Sequence, residues 1–223
     1  MTLTSSWQCL GGPGTWTYRW FDAERQRLNR RLVRTLVRHA GLPLQARVLE
    51  AGSGPGYASS LFARQSGVAL SVAADLDPSA LQEARRRDPL LPTAAADLYQ
   101  LPFTDGAFDL VWNSSTLEHL AAPAEALREM ARVTKPGGCI FVGVPYRFGP
   151  FGFQPWIHAT PLGVWIGSVF DKDALARLVR EAGLAPATVM TYYGRSFLGM
   201  LARKPRQAAS AAAPTPAMIG AAS

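Results

Sequence analysis

The chain has 223 residues, of which 48% are hydrophobic and 17% are charged. This length fits one ordinary domain with a buried core, and the apolar content excludes an intrinsically disordered chain. The two cysteines, Cys9 and Cys139, form no C-x-x-C pattern, so neither a disulfide framework nor a cysteine zinc site is indicated. The formal charge of +7 favours encounters with anionic partners and leaves nucleic acid, an acidic small molecule and a lipid head group open.

The predicted elements alternate between helices and strands along most of the chain. A first helix is predicted over residues 21–40, after an irregular segment that is rich in Gly, Pro and aromatic residues. Its arginines at positions 27, 31, 34 and 38 fall on one side and its apolar residues on another. Short apolar runs bounded by Gly, Pro and Asp then predict strands and helices in turn. The strands are 47–51, 69–75, 93–96, 108–112 and 139–144, and the helices are 57–66, 78–87 and 123–133.

The end of the chain follows a different pattern. A helix is predicted at 171–182, and an antiparallel hairpin is predicted from 187–193 and 196–202, with only Gly194 and Arg195 between its strands. Repeated strand–helix units predict a mainly parallel sheet with helices on both faces. In such sheets the ligand binds at the carboxyl ends of the strands.

We expect the chain to be organised in three parts. Residues 1–44 are an N-terminal irregular segment and a helix that covers the site. Residues 45–205 are the main domain, with an aromatic insertion or lid at 145–170, and 206–223 are a disordered tail. The sequence has no apolar run long enough to span a membrane, and it lacks the pattern of a secretory signal. We therefore expect a cytoplasmic chain without an integral membrane segment.

A glycine-rich loop follows the first strand. Gly52, Gly54 and Gly56 allow the backbone to turn sharply and to approach a ligand closely, and a helix begins directly afterwards. The spacing is G-x-G-x-G and not the dinucleotide fingerprint G-x-G-x-x-G, because Tyr57 occupies the place of the third glycine. Glu50 stands two residues before the first glycine, where its carboxylate disfavours a pyrophosphate. A ligand with an amino group and no phosphate, such as S-adenosylmethionine, is favoured.

Polar residues also end the next three strands. Asp75 suits both hydroxyls of a ribose, Asp97 with the N–H of Leu98 suits the amino edge of adenine, and Asn113 lies over the middle of the sheet. The two aspartates have structural alternatives: Asp75 could cap a helix, and Asp97 could be a solvated loop residue. A purely structural explanation becomes harder when all of them occupy successive strand ends.

Several motifs together resemble class I S-adenosylmethionine-dependent methyltransferases, within the group that acts on small molecules. They are VLEAGSGPGYAS at 48–59, AADLDPSAL at 73–81, AADLYQLPFTDGAFDLVWNSSTLEHL at 95–120 and LREMARVTKPGGCIFVGVPY at 127–146. The resemblance is close over residues 45–146. It implies an α/β, Rossmann-like, seven-stranded and mostly parallel sheet with an antiparallel C-terminal hairpin. It also implies S-adenosyl-L-methionine as the cofactor.

The resemblance assigns roles to the strand-end residues. The methionine end of the donor would be held by Glu50, Gly52, Ser53, Gly54 and Gly56. Asp75 and Leu76 would hold the ribose, Asp97 and Leu98 the adenine, and Asn113 would line the floor near the methyl group.

The acceptor side is predicted from the remaining aromatic residues and histidines. His119 and His158 are the candidate general bases, although Glu118-His119-Leu120 could instead be a helical cap. No metal is expected, because Ser115 replaces the first carboxylate of the Glu-x-x-Glu-His pattern of some relatives. An apolar acceptor pocket is predicted from aromatic residues of the least family-like segments, namely Tyr18, Trp20, Tyr146 and Trp156.

The sequence therefore predicts in-line transfer of a methyl group to a small, aromatic or apolar metabolite. A small-molecule acceptor is the expected partner and nucleic acid is not. One alternative is an RNA or protein methyltransferase that uses the basic N-terminal helix. Another is a non-catalytic S-adenosylmethionine-binding partner subunit. A nicotinamide oxidoreductase is disfavoured by the glycine spacing and by Glu50.

Overall fold

The helices and strands follow from runs of apolar residues that end at glycine, proline or a capping acid. The computed structural model describes residues 16–150, 152 and 166–206. Within these ranges the α-helices are α1 (Trp16–Ala40), α2 (Tyr57–Ala63), α3 (Pro78–Arg87), α4 (Pro123–Val133) and α5 (Lys172–Glu181). The strands are β1 (Ala46–Ala51), β2 (Val68–Asp75), β3 (Thr93–Ala95), β4 (Phe108–Ser114), β5 (Thr134–Pro145), β6 (Ala185–Tyr192) and β7 (Phe197–Arg203).

The strands form one seven-stranded sheet in the order β3-β2-β1-β4-β5-β7-β6. The pairs among β1 to β5 are parallel, and β7 is antiparallel to both of its neighbours. The predicted mostly parallel sheet with an antiparallel C-terminal hairpin is therefore confirmed. We call the side on which β1 to β5 end the carboxyl edge of the sheet, and the opposite side the amino edge.

The side chains of β4 alternate between two apolar layers. Leu110 and Trp112 pack against Leu36 of α1 and Phe62 of α2, whereas Val111 packs in the layer that contains residues of α4 and α5. All these side chains are at most 1% exposed. Since full burial of one such side chain contributes about 1.5–3 kcal/mol, these layers fix the sheet firmly beneath its carboxyl edge.

Helix α1 crosses the sheet from the carboxyl edge to the amino edge. Its Asn29 accepts a hydrogen bond from the hydroxyl of Tyr193, which follows β6 at the carboxyl edge. The carbonyl of Ala40 accepts one from Cys139, which pairs with Leu110 near the start of β4. The helix begins at Trp16, whereas the sequence predicted a start at residue 21. The predicted start was wrong. The Gly-Pro-rich segment ends just before residue 16, and residues 16–20 contain no helix breaker that would prevent an earlier start.

The hairpin between β6 and β7 has a longer connection than the two residues predicted. Tyr193, Gly194 and Arg195 all have left-handed backbones, with φ of 51°, 64° and 66°. The N–H of Ser196 then donates to the carbonyl of Tyr193 at 3.1 Å. A left-handed residue cannot continue a ladder, so Tyr193 leaves β6 and its hydroxyl becomes available to Asn29.

The predicted insertion has a closed base. Phe170 donates its N–H to the carbonyl of Pro145 at 2.9 Å, and Arg147 donates its N–H to the carbonyl of Phe170 at 2.8 Å. Most of the insertion, the first 15 residues and the predicted C-terminal tail lie outside the described residues, so the proposed boundaries of these parts stay predictions. Among the described helices, none is both long enough and apolar enough to cross a membrane.

Candidate functional site

The glycine loop after β1 is a tight turn held against the end of β2. Gly52, Gly54 and Gly56 have φ of 77°, 51° and 66°, a region that strongly favours glycine. The N–H groups of Gly52 and Ser53 both donate to the carbonyl of Ala74, at 2.8 and 2.9 Å. The loop therefore leaves β1 and passes directly over the carboxyl end of β2 before α2 begins.

The three glycines differ in what surrounds them. A Cβ on Gly52 would lie 2.6 Å from the Thr116 hydroxyl oxygen, and one on Gly56 would lie 3.0 Å from a methyl of Leu91. A Cβ on Gly54 would meet no heavy atom within 4 Å. Gly52 and Gly56 are thus required by packing inside the protein, whereas the backbone at Gly54 borders open space in which a ligand can lie.

Glu50 is buried, with 7% of its surface exposed. Its carboxylate accepts a hydrogen bond from the Ser59 N–H at 2.7 Å and another from the Ser59 hydroxyl. The side chain therefore ties β1 to the first turns of α2 and places its carboxyl group close to the glycine loop. Its direct contact with a ligand ammonium stays a prediction. Sequence reasoning missed Ser59. The signal in the sequence is a serine among apolar residues of α2, and in the structure it is buried with Ala58 and Phe62.

Asp75 joins the loop to the end of β2. One carboxylate oxygen accepts the Gly54 N–H at 2.7 Å and the other accepts the Asp77 N–H at 2.9 Å. The cap of α3 is Asp77, which accepts the N–H of Ser79 at 2.8 Å, so the alternative that Asp75 caps the helix is excluded. Beside this acid, the Leu76 side chain is 68% exposed and offers an apolar surface at the same edge.

Asp97 and Asn113 occupy different environments at the ends of their strands. Asp97 is exposed and accepts the Tyr99 N–H at 2.9 Å in a turn, while the neighbouring Leu98 is buried. Asn113 is fully buried, and its amide donates to the carbonyl of Ala51, the last residue of β1. The Asn113 carbonyl oxygen has no hydrogen-bond partner among the described residues. Their contacts with a ligand stay predictions.

The chain turns sharply where β4 ends. Ser115 has a left-handed φ of 62°, which costs a non-glycine residue about 1–2 kcal/mol, and its N–H donates to the Gly143 carbonyl at 3.0 Å. The turn brings the Thr116 hydroxyl within 3.3 Å of the Gly52 carbonyl. The short 3-10 helix Leu117–His119 is thereby placed directly beside the glycine loop.

Glu118 in this 3-10 helix is a functional candidate that sequence reasoning missed. Only 5% of the residue is exposed, and its Oε2 has no hydrogen-bond partner among the described residues. Burial raises the pKa of the carboxyl to about 8, although the backbone N–H groups of Glu118 and Thr116 partly offset this effect. The group is therefore mostly protonated at pH 7. The indication in the sequence is an acid between Leu117 and Leu120, directly after a buried strand.

The neighbouring His119 lies between this turn and the far end of the insertion. A Cβ on Gly167 would lie 2.7 Å from the His119 Nδ1, and the Ser168 N–H donates to the Glu118 carbonyl at 3.1 Å. His119 is exposed at the surface, and partial desolvation of its imidazole by these neighbours lowers its pKa, because desolvation disfavours the charged ring. His119 is therefore mainly neutral at pH 7, as a proton acceptor has to be.

Tyr192 reaches the same end of β4 from the edge strand β6. Its hydroxyl forms a 2.7 Å hydrogen bond with the Ser114 hydroxyl, and burial raises its pKa well above the ordinary value. The ring crosses two glycines, Gly143 on β5 and Gly199 on β7, which are paired with each other. A Cβ at Gly143 would overlap the Tyr192 hydroxyl, so the crossing depends on the absence of a side chain there.

The remaining predicted acceptor residues are only partly described. Tyr146 is 7% exposed, and its ring centroid lies 5.8 Å from that of Phe148, which is 54% exposed. Tyr18 and Trp20 lie in the first turns of α1, but their side chains fall outside the description, as do Trp156 and His158 altogether. No group of three or more His, Cys, Asp or Glu side chains suited to a metal ion occurs in the described part of the chain.

A seven-stranded sheet with one antiparallel strand, a glycine loop after β1 and an acid bonded to it after β2 defines the class I methyltransferase fold. Residues 49–142 match the model of the methyltransferase domain family. The predicted resemblance to class I S-adenosylmethionine-dependent methyltransferases is therefore confirmed over this stretch of the chain.

Named relatives share this domain. A Mycobacterium tuberculosis protein named "Probable S-adenosylmethionine-dependent methyltransferase" is 35% identical over 136 residues, which cover 61% of this chain and 47% of that protein. The malonyl-[acyl-carrier protein] O-methyltransferase of Halorhodospira halophila is 40% identical over 107 residues, covering 47% of this chain and 35% of that protein. This chain thus spans half or less of the length of these relatives.

A solved structure has the same fold. The geranyl diphosphate C-methyltransferase of Streptomyces coelicolor, crystallised with Mg²⁺, geranyl diphosphate and S-adenosyl-L-homocysteine, superposes with a TM-score of 0.65 at 19% identity. The superposition covers 87% of this chain and 88% of that one, and at this identity it establishes the fold alone.

Proposed function

We propose that this chain transfers a methyl group from S-adenosylmethionine to a small acceptor that is apolar or aromatic. The observation that carries the proposal is the 2.7 Å hydrogen bond between the Gly54 N–H and the Asp75 carboxylate. It unites the glycine loop after β1 and the acid after β2 in one site. The match of residues 49–142 to methyltransferase domains supports the choice of donor.

The residues at the carboxyl edge fit this donor in shape and charge. The open space beside Gly54 admits a ligand close to the backbone, and an ionised Glu50 carboxylate beside the loop would disfavour a phosphate there. Asp75 would hold the ribose, with the exposed Leu76 as an apolar contact. The other residues that we assign to donor binding are Gly52, Ser53, Gly56, Asp97, Leu98 and Asn113.

The bound donor supplies a methyl group that is already activated by its sulfonium. The protein has to hold the lone pair of the acceptor in line with the S–C bond and to exclude water. An acceptor with a hydroxyl or amine must also lose a proton, and we assign its removal to the neutral ring of His119. His158 stays the second candidate from the sequence.

The apolar character of the acceptor is inferred from the aromatic residues that follow β5. Tyr146 and Phe148 form an edge-to-face pair at the base of the insertion, in which Tyr146 is buried and Phe148 is exposed. Tyr18, Trp20 and Trp156 complete the predicted pocket. Aromatic side chains of this kind line pockets that bury flat or greasy ligands.

Two measurements test the proposal. Calorimetry should detect binding of S-adenosylmethionine and no binding of NAD⁺ to the full chain. Transfer of labelled methyl groups should then be screened against phenols, hydroxylated fatty acids and prenyl alcohols. NAD⁺ binding without S-adenosylmethionine binding would contradict the proposal.

Variants of two histidines, His119 and His39, distinguish an effect on catalysis from an effect on donor binding. His119→Ala should lower turnover about 10²–10⁴-fold while donor affinity stays within about twofold. The matched control is His39→Ala on α1, because His39 is exposed and, among the described residues, its ring bonds only the Thr35 carbonyl of its own helix, at 2.8 Å. Turnover of His119→Ala at the level of the control would show that His119 is not the base.

A further inference from the structure

The positive charge of the protein is concentrated on one helix. Helix α1 contains seven arginines and two acids, a net charge of +5, whereas the whole chain has a net charge of +7. The remaining residues therefore carry only +2 between them. A surplus that served solubility alone would be spread over the surface, so this distribution indicates that α1 meets an anionic partner.

Six of the seven arginines of α1 lie on one exposed side of the helix. At 3.6 residues per turn, this side is opposite to the buried Leu32, Val33 and Leu36. Trp16, which is 79% exposed, lies on the same side in the first turn. We call this surface the basic face, and its residues are Trp16, Arg19, Arg27, Arg30, Arg31, Arg34 and Arg38.

Among the described side chains, few of the arginines on the basic face are paired with an acid. The Arg27 guanidinium pairs with Glu24 at 2.6 Å, and the Glu24 carboxylate also acts on Arg31 through space. The structure records no ion pair between a described acid and the other arginines of the basic face, which are Arg19, Arg30, Arg34 and Arg38.

One end of the basic face projects at the carboxyl edge of the sheet. Asn29 is fixed at this edge by Tyr193, and Trp16 lies 13 residues further towards the N-terminus. At about 1.5 Å per residue, the helix extends about 20 Å beyond Asn29. Two more exposed apolar side chains, Leu76 after β2 and Phe148 after β5, also stand at the carboxyl edge.

We propose that the basic face of α1 docks the protein on an anionic lipid surface. Arginines together with exposed Trp, Phe and Leu side chains are the composition of interfacial membrane contacts. Single-stranded nucleic acid is usually bound in a groove that follows its backbone, whereas this face is the convex surface of one helix. Exposed apolar side chains from three separate parts of the chain lie at the carboxyl edge. This arrangement also suits a planar lipid surface better than a single strand of nucleic acid.

Docking of this kind goes beyond methyl transfer and does not depend on it. It would bring the carboxyl edge close to a lipid surface, from which an apolar acceptor could enter. Only this last consequence rests on the proposed function. Vesicle binding can be measured without any turnover, so failure of one proposal is distinguishable from failure of the other.

Co-sedimentation of the full chain with vesicles tests the docking. We expect binding to vesicles of phosphatidylcholine and phosphatidylglycerol at a ratio of 70:30, none to phosphatidylcholine alone, and release by high salt. Each basic side chain near such a surface raises the affinity for anionic vesicles about fivefold. The double variant R34Q/R38Q should therefore bind these vesicles about 25-fold more weakly than the unaltered chain.

The matched control is R128Q/R180Q, which removes the same charge from exposed positions on α4 and α5, across the sheet from α1. It should bind within about twofold of the unaltered chain. Three outcomes would overturn the proposal: equal weakening by both double variants, no binding to anionic vesicles, or tighter binding to a single-stranded RNA 20-mer than to those vesicles. Circular dichroism of both variants establishes that they are folded.

Discussion

The two halves of the carboxyl edge are built in different ways. At the ends of β1 and β2, the acids Glu50 and Asp75 both accept backbone N–H groups from the loop and helix beside them. At the ends of β4 and β5, by contrast, the Glu118 carboxyl is buried with an oxygen that has no partner among the described residues. The acids of the first half are therefore held in place by N–H groups of the protein, while the second half keeps an unsatisfied buried polar group for which a ligand can supply the partner.

The strongest test of this comparison is the pH dependence caused by Glu118. Its carboxyl has a pKa near 4.5 when exposed and about 8 when folded, so between these values the unfolded chain binds fewer protons than the folded one. Stability should fall as pH rises from about 4.5 to 8, by at most about 5 kcal/mol, and should then level off. Glu118→Gln should remove this fall in urea unfolding at pH 5, 6.5 and 8.

The matched control for that experiment is Glu125→Gln, which changes an exposed glutamate on α4. It should keep the pH dependence of the unaltered chain. If Glu118→Gln also keeps it, the Glu118 carboxyl is not the buried proton-binding group, and the contrast between the two halves fails.

The second test addresses the half formed by β1 and β2. Asp75→Ala removes the acceptor of two N–H groups and the proposed ribose contact, so donor affinity should fall about 100-fold, since hydrogen bonds to charged groups are worth about 1.5–3 kcal/mol each. Asp75→Asn keeps one oxygen and should lose less. Calorimetry with S-adenosylmethionine measures both variants, and unchanged affinity in Asp75→Ala would refute the ribose assignment.

A third test compares two glycines of the same loop. Both Gly54→Ala and Gly56→Ala incur the cost of a left-handed alanine, about 1 kcal/mol. Gly56→Ala also crowds Leu91 and Ala84, so it should destabilise the fold by about 1–2 kcal/mol more in urea unfolding. Donor affinity should show the opposite order, because Gly54 borders the open space. Equal effects of the two variants on both measurements would contradict a ligand position beside Gly54.

The smallest expected effect concerns the hydroxyl pair at the end of β4. Tyr192→Phe and Ser114→Ala each leave a part-buried hydroxyl without its partner and should each cost about 1–2 kcal/mol of unfolding free energy. The double variant should cost less than the sum, with a coupling of at least about 0.5 kcal/mol in a double-mutant cycle. Strict additivity would mean that the hydrogen bond does not stabilise this side of the sheet.

The same contrast explains what could be predicted from the sequence. Helices α3 and α4 begin and end at the predicted residues, because Pro at the first turn is a local signal. The loop with Gly52, Gly54 and Gly56 and the acid Asp75 were likewise found from neighbours in the chain. These features depend on backbone geometry that a short stretch of sequence specifies.

Features that depend on distant packing were missed. The Glu118 carbonyl accepts the N–H of Ser168, which lies about 50 positions further along the chain, and Tyr192 reaches Ser114 across 78 residues. The left-handed Tyr193 and Arg195 also follow no ordinary glycine signal, so the hairpin was predicted with too short a connection. Contacts of this kind follow only from the strand order.

The paired backbone hydrogen bonds between Pro145, Arg147 and Phe170 have a consequence for engineering. Since the two ends of the intervening segment are fastened to each other, the spacing between β5 and α5 is set independently of the segment's length. Exchanging this segment for that of another methyltransferase should therefore leave the sheet undisturbed. The junction is thus a natural site at which chimeras can be assembled to alter substrate preference.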